Sequence, residues 1–291
     1  LHLYGPVIVS TLVSNIGTII DANLASRTGE EAITWMANAT FLTQLCVGLV
    51  SMAISLAVLP RLSQIDVAEE LDRFKKTLAS GLRLVLALII PASVGLLVLG
   101  KPIIELLFEH GAFEPSDTQQ AWMALLCYLP GLPFSAIDLP LVFSFYSQKD
   151  TVTPVIVGIV TVVLYVIVAP LLAFVADIGF LGLVMANSVQ LIAHAVLMLI
   201  LFKRKFGTLR GYGVLSTTFR SVGASALVGL SAWSGVVIIK RLMVTTSTLR
   251  EVLLVLVPTG LGVLAYLVGA RLFRIHDINN LIDTLHARFS R

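Results

Sequence analysis

The polar side chains that lie inside long apolar runs are where this sequence could do chemistry. Asp21 lies about one helical turn from the end of the first run, Arg83 about two turns inside the third, and Asp138 in the middle of the fourth. A charged side chain at the centre of a bilayer costs roughly 2.5–3.5 kcal/mol on insertion scales. Such residues are therefore candidates for contacts with a cation, a proton or an anionic substrate in a cavity.

Each of these three residues also has a simpler interpretation. Asp21 either reaches the membrane interface or pairs with Arg27, or else it lines a cavity and contacts a cation or substrate. Arg83 either extends its long stem toward lipid phosphates or contacts an anionic substrate. The depth of Asp138 makes a contact with the interface a weaker explanation than for Asp21, and we predict that Asp138 lies near a cavity or its gate.

Neutral polar residues in the same runs extend the set of candidates. Asn38 and Gln44 of the second run are added to the predicted substrate contacts, and Asn187 to the residues for cation binding or gating. Gln190 and His194 lie about one turn apart beside Asn187. Interhelical hydrogen bonding is the interpretation we favour for these two, with a proton relay as the alternative.

The composition is that of an integral membrane protein. The chain is 57% hydrophobic and 13% charged, whereas a soluble domain has about 25% charged residues. Its mean hydropathy is +0.95. The sequence contains none of the common catalytic or phosphate-binding motifs, and its His and Cys residues lack metal-ligand spacing. These features argue against an enzyme and against a nucleic-acid-binding protein. The chain opens directly on an apolar run, which suggests that an earlier part is missing.

Eight apolar runs are long enough to cross a bilayer, which takes about 20 residues in a helix. The sequence therefore predicts an all-α polytopic membrane protein with about eight transmembrane helices. The predicted spans are Leu3–Ser26, Ala32–Leu59, Thr77–Leu99, Thr118–Ser147, Thr153–Val175, Ile178–Phe202, Phe219–Ile239 and Leu249–Phe273.

The loops between these spans alternate in their content of Lys and Arg. Most of the 20 basic residues fall on one side, in the Arg61–Lys76 loop, the Ser147–Thr153 turn, the Lys203–Arg220 loop and the C-terminus. The positive-inside rule assigns this side to the cytoplasm. The sequence therefore predicts that the first span runs outward and that the C-terminus is cytoplasmic.

The fourth span is long and contains three prolines, Pro130, Pro133 and Pro140. Each proline removes one helical hydrogen bond and crowds the preceding turn. In a membrane the freed carbonyl group needs a donor from a neighbouring segment or water. We predict that this helix bends, with Gly131 and Pro133 as the hinge, and that it moves or lines a cavity.

Two amphipathic segments lie outside the predicted spans. The amphipathic pattern of Lys101–Phe113 predicts a short helix on the outer surface that stops at Gly111. In the tail, Ile275–Arg291, apolar residues recur with helical spacing. We interpret the tail as a helix that anchors the chain at the cytoplasmic interface.

Several motifs occur in a fixed order along the chain. They are Arg61-Leu-Ser63 after Pro60, Gly81-Leu-Arg83-Leu with Pro91-Ala, Pro102–Phe113, Gly131-Leu-Pro133, Phe145-Tyr-Ser-Gln-Lys-Asp-Thr-Val-Thr-Pro154 and Gly182-Leu. In this combination the chain resembles the MurJ/MviN family, the lipid II flippases of bacterial peptidoglycan synthesis. The resemblance covers essentially the whole chain. It matches only the later part of a family member, helices seven to fourteen of fourteen.

The resemblance implies a fold and a division of the chain. Family members have two six-helix lobes of the MOP (multidrug/oligosaccharidyl-lipid/polysaccharide) exporter fold around a central cavity, and two more helices form a groove for the lipid tail. Residues 1–203 would form the second lobe, residues 204–274 the two additional helices, and residues 275–291 the cytoplasmic tail. The first lobe, which in the family supplies arginines for the diphosphate headgroup, is missing. We expect it as a partner, from the same or another chain.

The sequence departs from the family pattern at two places. Family members usually carry an Asp-Arg pair early in helix eight, and this chain has Asn38 and Ala39 there. Neither residue can supply the charge-assisted hydrogen bonds that an Arg gives a diphosphate. Asp21 matches a position that is often acidic in the family. An Asn/Asp pair of helix eleven has no counterpart within Val160–Pro170, so a cation site built from it is incomplete.

The resemblance implies a transporter that flips a lipid-linked oligosaccharide, lipid II, across the bacterial cytoplasmic membrane by alternating access. Such a protein forms no covalent bond and needs no cofactor, with a monovalent cation or the membrane potential as the driving force. Its expected partners are the anionic lipid-linked substrate and the bilayer. The alternatives are a divergent scaffold or regulatory lobe that does not transport, and a small-molecule exporter of the same superfamily.

Overall fold

The computed structural model describes residues 4–29, 31–243, 248–275 and 277–278, and the regular elements of these residues are all helical. The helices are α1 (Tyr4–Thr28), α2 (Ala32–Ser63), α3 (Leu71–Phe108), α4 (Pro115–Tyr128), α5 (Leu132–Ser147), α6 (Val152–Val175), α7 (Phe180–Phe206), α8 (Val214–Leu242) and α9 (Thr248–Leu272). Helices α2 and α6 each contain one π-helical turn, at Gly48–Met52 and Leu171–Val175.

Each of the eight predicted spans coincides with a helix or a pair of helices. Within the described ranges, six helices have the length and hydropathy of a membrane span, namely α2, α3 and α6 to α9. The pair α4 and α5 makes a seventh candidate, bent by 51° at the break between the two helices. Helix α1, with 25 residues, covers the first predicted span. The predicted all-helical membrane fold and the predicted bend in the fourth span are therefore confirmed.

The segment Lys101–Phe113 does not form the separate surface helix that the sequence predicts. Residues up to Phe108 continue α3, which has 38 residues and is about 57 Å long at about 1.5 Å per residue. The helix continues through Pro102 because its outer part packs on α4, where Ile104 is fully buried. Gly111, with φ +65°, then turns the chain toward α4.

The predicted tail helix lies mostly outside the described residues. Of this segment, Ile275 and Ile278 are buried against α3, α8 and α9, in a cluster that includes Ala87 and Tyr266. Helices α8 and α9 pack on each other and on α3. The first part of the tail is therefore held on the same three helices.

The carbonyl groups that two prolines free are bound by hydroxyl groups from other helices. Pro91 in α3 cannot donate to Ala87, and the Tyr266 hydroxyl of α9 donates to the Ala87 carbonyl instead. Ala87 and Tyr266 are both buried. The missing donor in α3 is thus replaced by a contact that fixes α9 against α3.

The same arrangement occurs on α5. Pro140 leaves the Ala136 carbonyl without its helical partner, and Ser51 in the π-helical turn of α2 donates to it at 2.5 Å. At the break between α4 and α5, Ser188 of α7 donates to the Cys127 carbonyl at 2.6 Å. The predicted need for outside donors at these kinks is met by neighbouring helices.

We expect the Tyr266 hydroxyl to stabilise the fold only while Pro91 is present. Tyr266→Phe should lower the free energy of unfolding by about 1 kcal/mol, within the range for hydrogen bonds between membrane helices. In a Pro91→Ala background the same change should cost close to nothing, because the new N–H can bond the Ala87 carbonyl. Unfolding in detergent micelles measures both.

Tyr146→Phe is the matched control, because no hydrogen bond of its hydroxyl occurs among the described residues. An equal cost of Tyr266→Phe in both backgrounds would show that its effect does not depend on the carbonyl that Pro91 frees.

Candidate functional site

Two cavities of about 550 Å³ each lie on opposite faces of α5. One is polar and is enclosed by α1, α2, α4, α5, α6 and α7. The other is apolar and lies between α3, α5, α7 and α8. The two faces follow from helical spacing, since Ser135 and Leu139 line the polar cavity and Phe134 and Ile137 line the apolar one.

The polar cavity collects hydroxyl and amide groups from six helices around one carboxylate. No Lys or Arg of the described residues lines it. Its polar side chains are Thr18, Asp21, Thr40, Thr43, Gln44, Tyr128, Ser135, Tyr165, Asn187 and Gln190. This cavity can bind a cation, a proton or neutral polar groups, and its described wall has no cation to offer an anion.

Asp21 accepts a hydrogen bond from the hydroxyl group of Tyr165 on α6. It forms no ion pair with Arg27, which was one of the alternatives for this residue. Tyr165 is 3% exposed, so its hydroxyl is held in place by the surrounding helices. The sequence did not single out Tyr165, because an aromatic residue in an apolar helix is ordinarily a packing residue. The one usable signal was the need of a buried carboxylate for a donor.

Gln44 and Asn187 line the polar cavity together with Asp21. Asn38 is half-buried one and a half turns before Gln44 and does not line the cavity. Asp138 does not line it either. Its carboxylate lies 2.8 Å from Nδ1 of His194, which connects α5 to α7. The interhelical hydrogen bond that we favoured for His194 is therefore present.

The predicted hinge residues lie at the 51° bend. Gly131 precedes α5, and a Cβ atom there would lie 3.2 Å from the Ser188 backbone, so α7 approaches the bend closely. Pro133 occupies the first turn of α5 and lines the apolar cavity. Whether these residues act as a hinge stays a prediction.

Arg83 faces the loop and tail beside α8 rather than the polar cavity. Its Nε and Nη2 donate to Asp277 at 2.9 and 3.0 Å, and its Nη1 donates to the Tyr212 carbonyl at 2.6 Å. Its side chain is 25% exposed and that of Asp277 19%. The guanidinium group thus connects α3, the loop before α8 and the segment after α9.

The motif Phe145–Pro154 builds the turn between α5 and α6. Asp150 accepts hydrogen bonds from the backbone N–H and hydroxyl of Thr153, at 3.0 and 2.8 Å, and from Lys205 at 2.5 Å. Burial alone would raise the pKa of Asp150, but these hydrogen bonds hold its pKa below the ordinary value. Lys149 adopts a positive φ of 59° at this turn. The motif therefore fixes the entry into α6 and connects it to α7.

The other motif residues also position helices. Gly182 of α7 packs on the π-helical turn of α6, where a Cβ atom would lie 2.7 Å from the Ala173 nitrogen. Glu109 accepts a hydrogen bond from Thr118 at 2.6 Å, which connects the end of α3 to α4. No group of three or more His, Cys, Asp or Glu side chains that could hold a metal ion occurs in the part of the chain that the structure describes.

The bundle of bent membrane helices is similar in fold to a solved transporter of the MOP superfamily. Ninety-one per cent of the chain matches 63% of a MOP superfamily transporter from Pyrococcus furiosus, with a TM-score of 0.57 and 16% identity. The chain is more similar to a solved lipid II flippase MurJ in an inward closed conformation. That match has a TM-score of 0.74 and 25% identity, and covers 94% of this chain and 53% of the other.

Sequence comparison gives the same family. The profile of the family described as lipid II flippase MurJ matches residues 1–254. The probable lipid II flippase MurJ of Vibrio cholerae is 35% identical over 193 residues, which are 66% of this chain and 36% of that protein. The chain belongs to the MurJ family, as its motifs suggested, and it spans about a third to a half of the length of these relatives.

We expect Arg83 and Asp277 to act on stability as one unit. Arg83→Gln and Asp277→Asn should each lower the free energy of unfolding by roughly 1–3 kcal/mol, less than for a fully buried pair because both side chains are partly exposed. The double variant should cost little more than either single one. Arg73→Gln, which breaks the exposed pair with Glu70, is the control and should cost under about 1 kcal/mol.

The same variants test the alternative that Arg83 contacts substrate. In a transport assay at matched protein levels, a substrate contact predicts loss of activity in Arg83→Gln and none in Asp277→Asn. Equal behaviour of the two variants would remove Arg83 from the substrate contacts.

Proposed function

We propose that this chain forms the second lobe and the two additional helices of a transporter that flips lipid II across the bacterial cytoplasmic membrane by alternating access. The observation that carries the proposal is the polar cavity, which lies inside a lobe with the MurJ fold and contains a hydrogen-bonded carboxylate. Relatives of the chain are named lipid II flippases. In this proposal the protein moves its substrate without forming or breaking a covalent bond.

The charge of the polar cavity indicates which step of lipid II flipping this lobe serves. A diphosphate headgroup calls for Arg or Lys, which give charge-assisted hydrogen bonds. The described wall of the polar cavity offers Asp21 and neutral groups instead. We therefore assign the cations that hold the headgroup to the part of the relatives that this chain does not span. The lobe described here provides the opposite wall and the site that couples transport to a driving force.

Asp21 is the residue that we assign to this coupling. Its carboxylate lies at the cavity wall beside the Tyr165 hydroxyl, with Thr18 and Asn187 among the neighbouring lining residues. A monovalent cation or a proton that binds the carboxylate competes with the Tyr165 hydroxyl for its oxygens. Binding at Asp21 would thus weaken the contact between α1 and α6. The presence of a cation or proton on the carboxylate would in this way affect the relative position of the two helices.

The second candidate function is a lobe that does not transport and acts as a scaffold or regulator. The absence of Lys and Arg from the described cavity wall favours it. Under the positive-inside assignment both candidates have the C-terminus in the cytoplasm.

A chimera separates the two candidates. The chain is joined to the part of the Vibrio cholerae relative that it does not span, and is expressed in a strain depleted of its own lipid II flippase. We expect growth, and lipid II at the outer membrane face, because the added part supplies the headgroup cations. The complete relative is the positive control. A chimera that inserts at normal levels and supports neither growth nor exposed lipid II would leave the non-transporting lobe as the function.

In the working chimera we expect Asp21→Asn to reduce the rate of lipid II exposure at least about tenfold, because the neutral amide cannot bind a cation or proton in the same way. Tyr165→Phe should reduce it less, since the carboxylate remains. Thr43→Val is the matched control: it lines the same cavity, and its hydroxyl bonds only within α2. Full activity of Asp21→Asn would remove Asp21 from the coupling site.

A further inference from the structure

The function proposed above assigns no substrate or ion contact to the apolar cavity on the second face of α5, which α8 lines in part. The cavity has a volume of about 550 Å³, within the range of about 300–1,000 Å³ for small-molecule sites. Its wall consists of aliphatic and aromatic side chains, among them Leu86, Ile90, Phe134, Ile137 and Leu199. A cavity with this lining suits a hydrocarbon chain.

Cations surround one end of this cavity. Lys203, in the last turn of α7, and Arg210, in the loop before α8, are both exposed and both belong to its lining. The ammonium group of Lys75 lies against Gly207 between them, 2.8 Å from the position that a Cβ atom would take there. The positive-inside rule assigns this end to the cytoplasmic side.

These three cations differ from several of their neighbours in having no anionic partner among the described residues. Lys76 pairs with Asp72 and Lys205 with Asp150, both within 4 Å. Lys75, Lys203 and Arg210 take part in no ion pair within that part of the chain. Among the described residues, the apolar cavity thus ends at three cations that form no ion pair, and Lys75 has only a longer-range electrostatic interaction with Asp72.

We propose that the apolar cavity is a binding site for one anionic glycerophospholipid of the cytoplasmic leaflet. One acyl chain lies against Phe134 and Ile137, and the phosphate group lies between Lys203 and Arg210. Basic pockets between membrane helices on the cytoplasmic side bind lipid headgroups in this way. A zwitterionic lipid also carries a phosphate, but its cationic choline group is repelled by the same Lys and Arg side chains, so a lipid with net negative charge is favoured.

The position of the cavity argues for a resident lipid rather than the transported one. A transported lipid must place its headgroup in the polar cavity, and α5 separates the two cavities. The resident acyl chain packs on the face of α5 opposite Ser135 and Leu139 of the polar cavity. The lipid therefore supports the bent helix from behind.

Native mass spectrometry of the full chain in detergent, with added phosphatidylglycerol or phosphatidylcholine of identical acyl chains, tests the proposal. We expect the wild type to retain one phosphatidylglycerol more tightly than phosphatidylcholine. Lys203→Gln with Arg210→Gln should weaken retention of phosphatidylglycerol by about fivefold for each cation, about 25-fold in all. Arg204→Gln is the matched control, because this exposed cation lies in the same turn of α7 and does not line the cavity.

Val222→Trp tests whether the lipid occupies the apolar cavity. Val222 is half-exposed at the cavity wall, so the larger Trp side chain would fill the space that the acyl chain needs. It should weaken retention of both lipids to a similar degree. Three results would overturn the proposal: unchanged retention of phosphatidylglycerol in the double variant, equal retention of phosphatidylcholine by the wild type, or displacement of phosphatidylglycerol by stoichiometric polyprenyl phosphate. The last would make the cavity a substrate site.

Discussion

Backbone carbonyl groups that lose their helical partners are the constraint on which this structure depends. In a bilayer such a group finds no water, so another part of the protein must donate to it. The donors here are hydroxyl groups on other helices: Tyr266 for the kink at Pro91, Ser51 for the kink at Pro140, and Ser188 for the break before α5. Each kink is therefore also a contact between two helices, and its geometry depends on where the neighbouring helix lies.

This constraint changes how the bend in the fourth span is understood. Proline and glycine permit the bend, yet α5 is held at Ala136 by α2, and the end of α4 is held at Cys127 by α7. The Asp138–His194 contact adds a third connection, between α5 and α7. Any movement of α5 must break or exchange these hydrogen bonds. We therefore expect α5 to occupy a few distinct positions rather than a continuous range of bend angles. An intermediate position would leave a hydrogen bond partly broken, and in a membrane no water replaces it.

The sequence was sufficient for the features that depend on local patterns. Apolar length placed the helices, the prolines of the fourth span located its bend, and the cost of burying a carboxylate drew attention to Asp21. The contacts of Arg83 with Asp277 and of Asp21 with Tyr165 were not predictable, because they join residues 194 and 144 positions apart. The continuation of α3 past Pro102 was missed for the same reason: packing on α4 outweighs a local helix-breaking signal.

The distribution of charge separates two kinds of lipid contact. The chain places a carboxylate in the polar cavity on one face of α5, and at the mouth of the apolar cavity on the other face it places cations that form no ion pair with a described residue. An anionic headgroup is therefore repelled from the first and attracted to the second, unless cations from outside this lobe reach the polar cavity. In the proposed flippase those cations come from the opposite lobe, so a headgroup is held only when both lobes face the same cavity. The carboxylate then favours release once the lobes part, and the lipid behind α5 stays in place throughout.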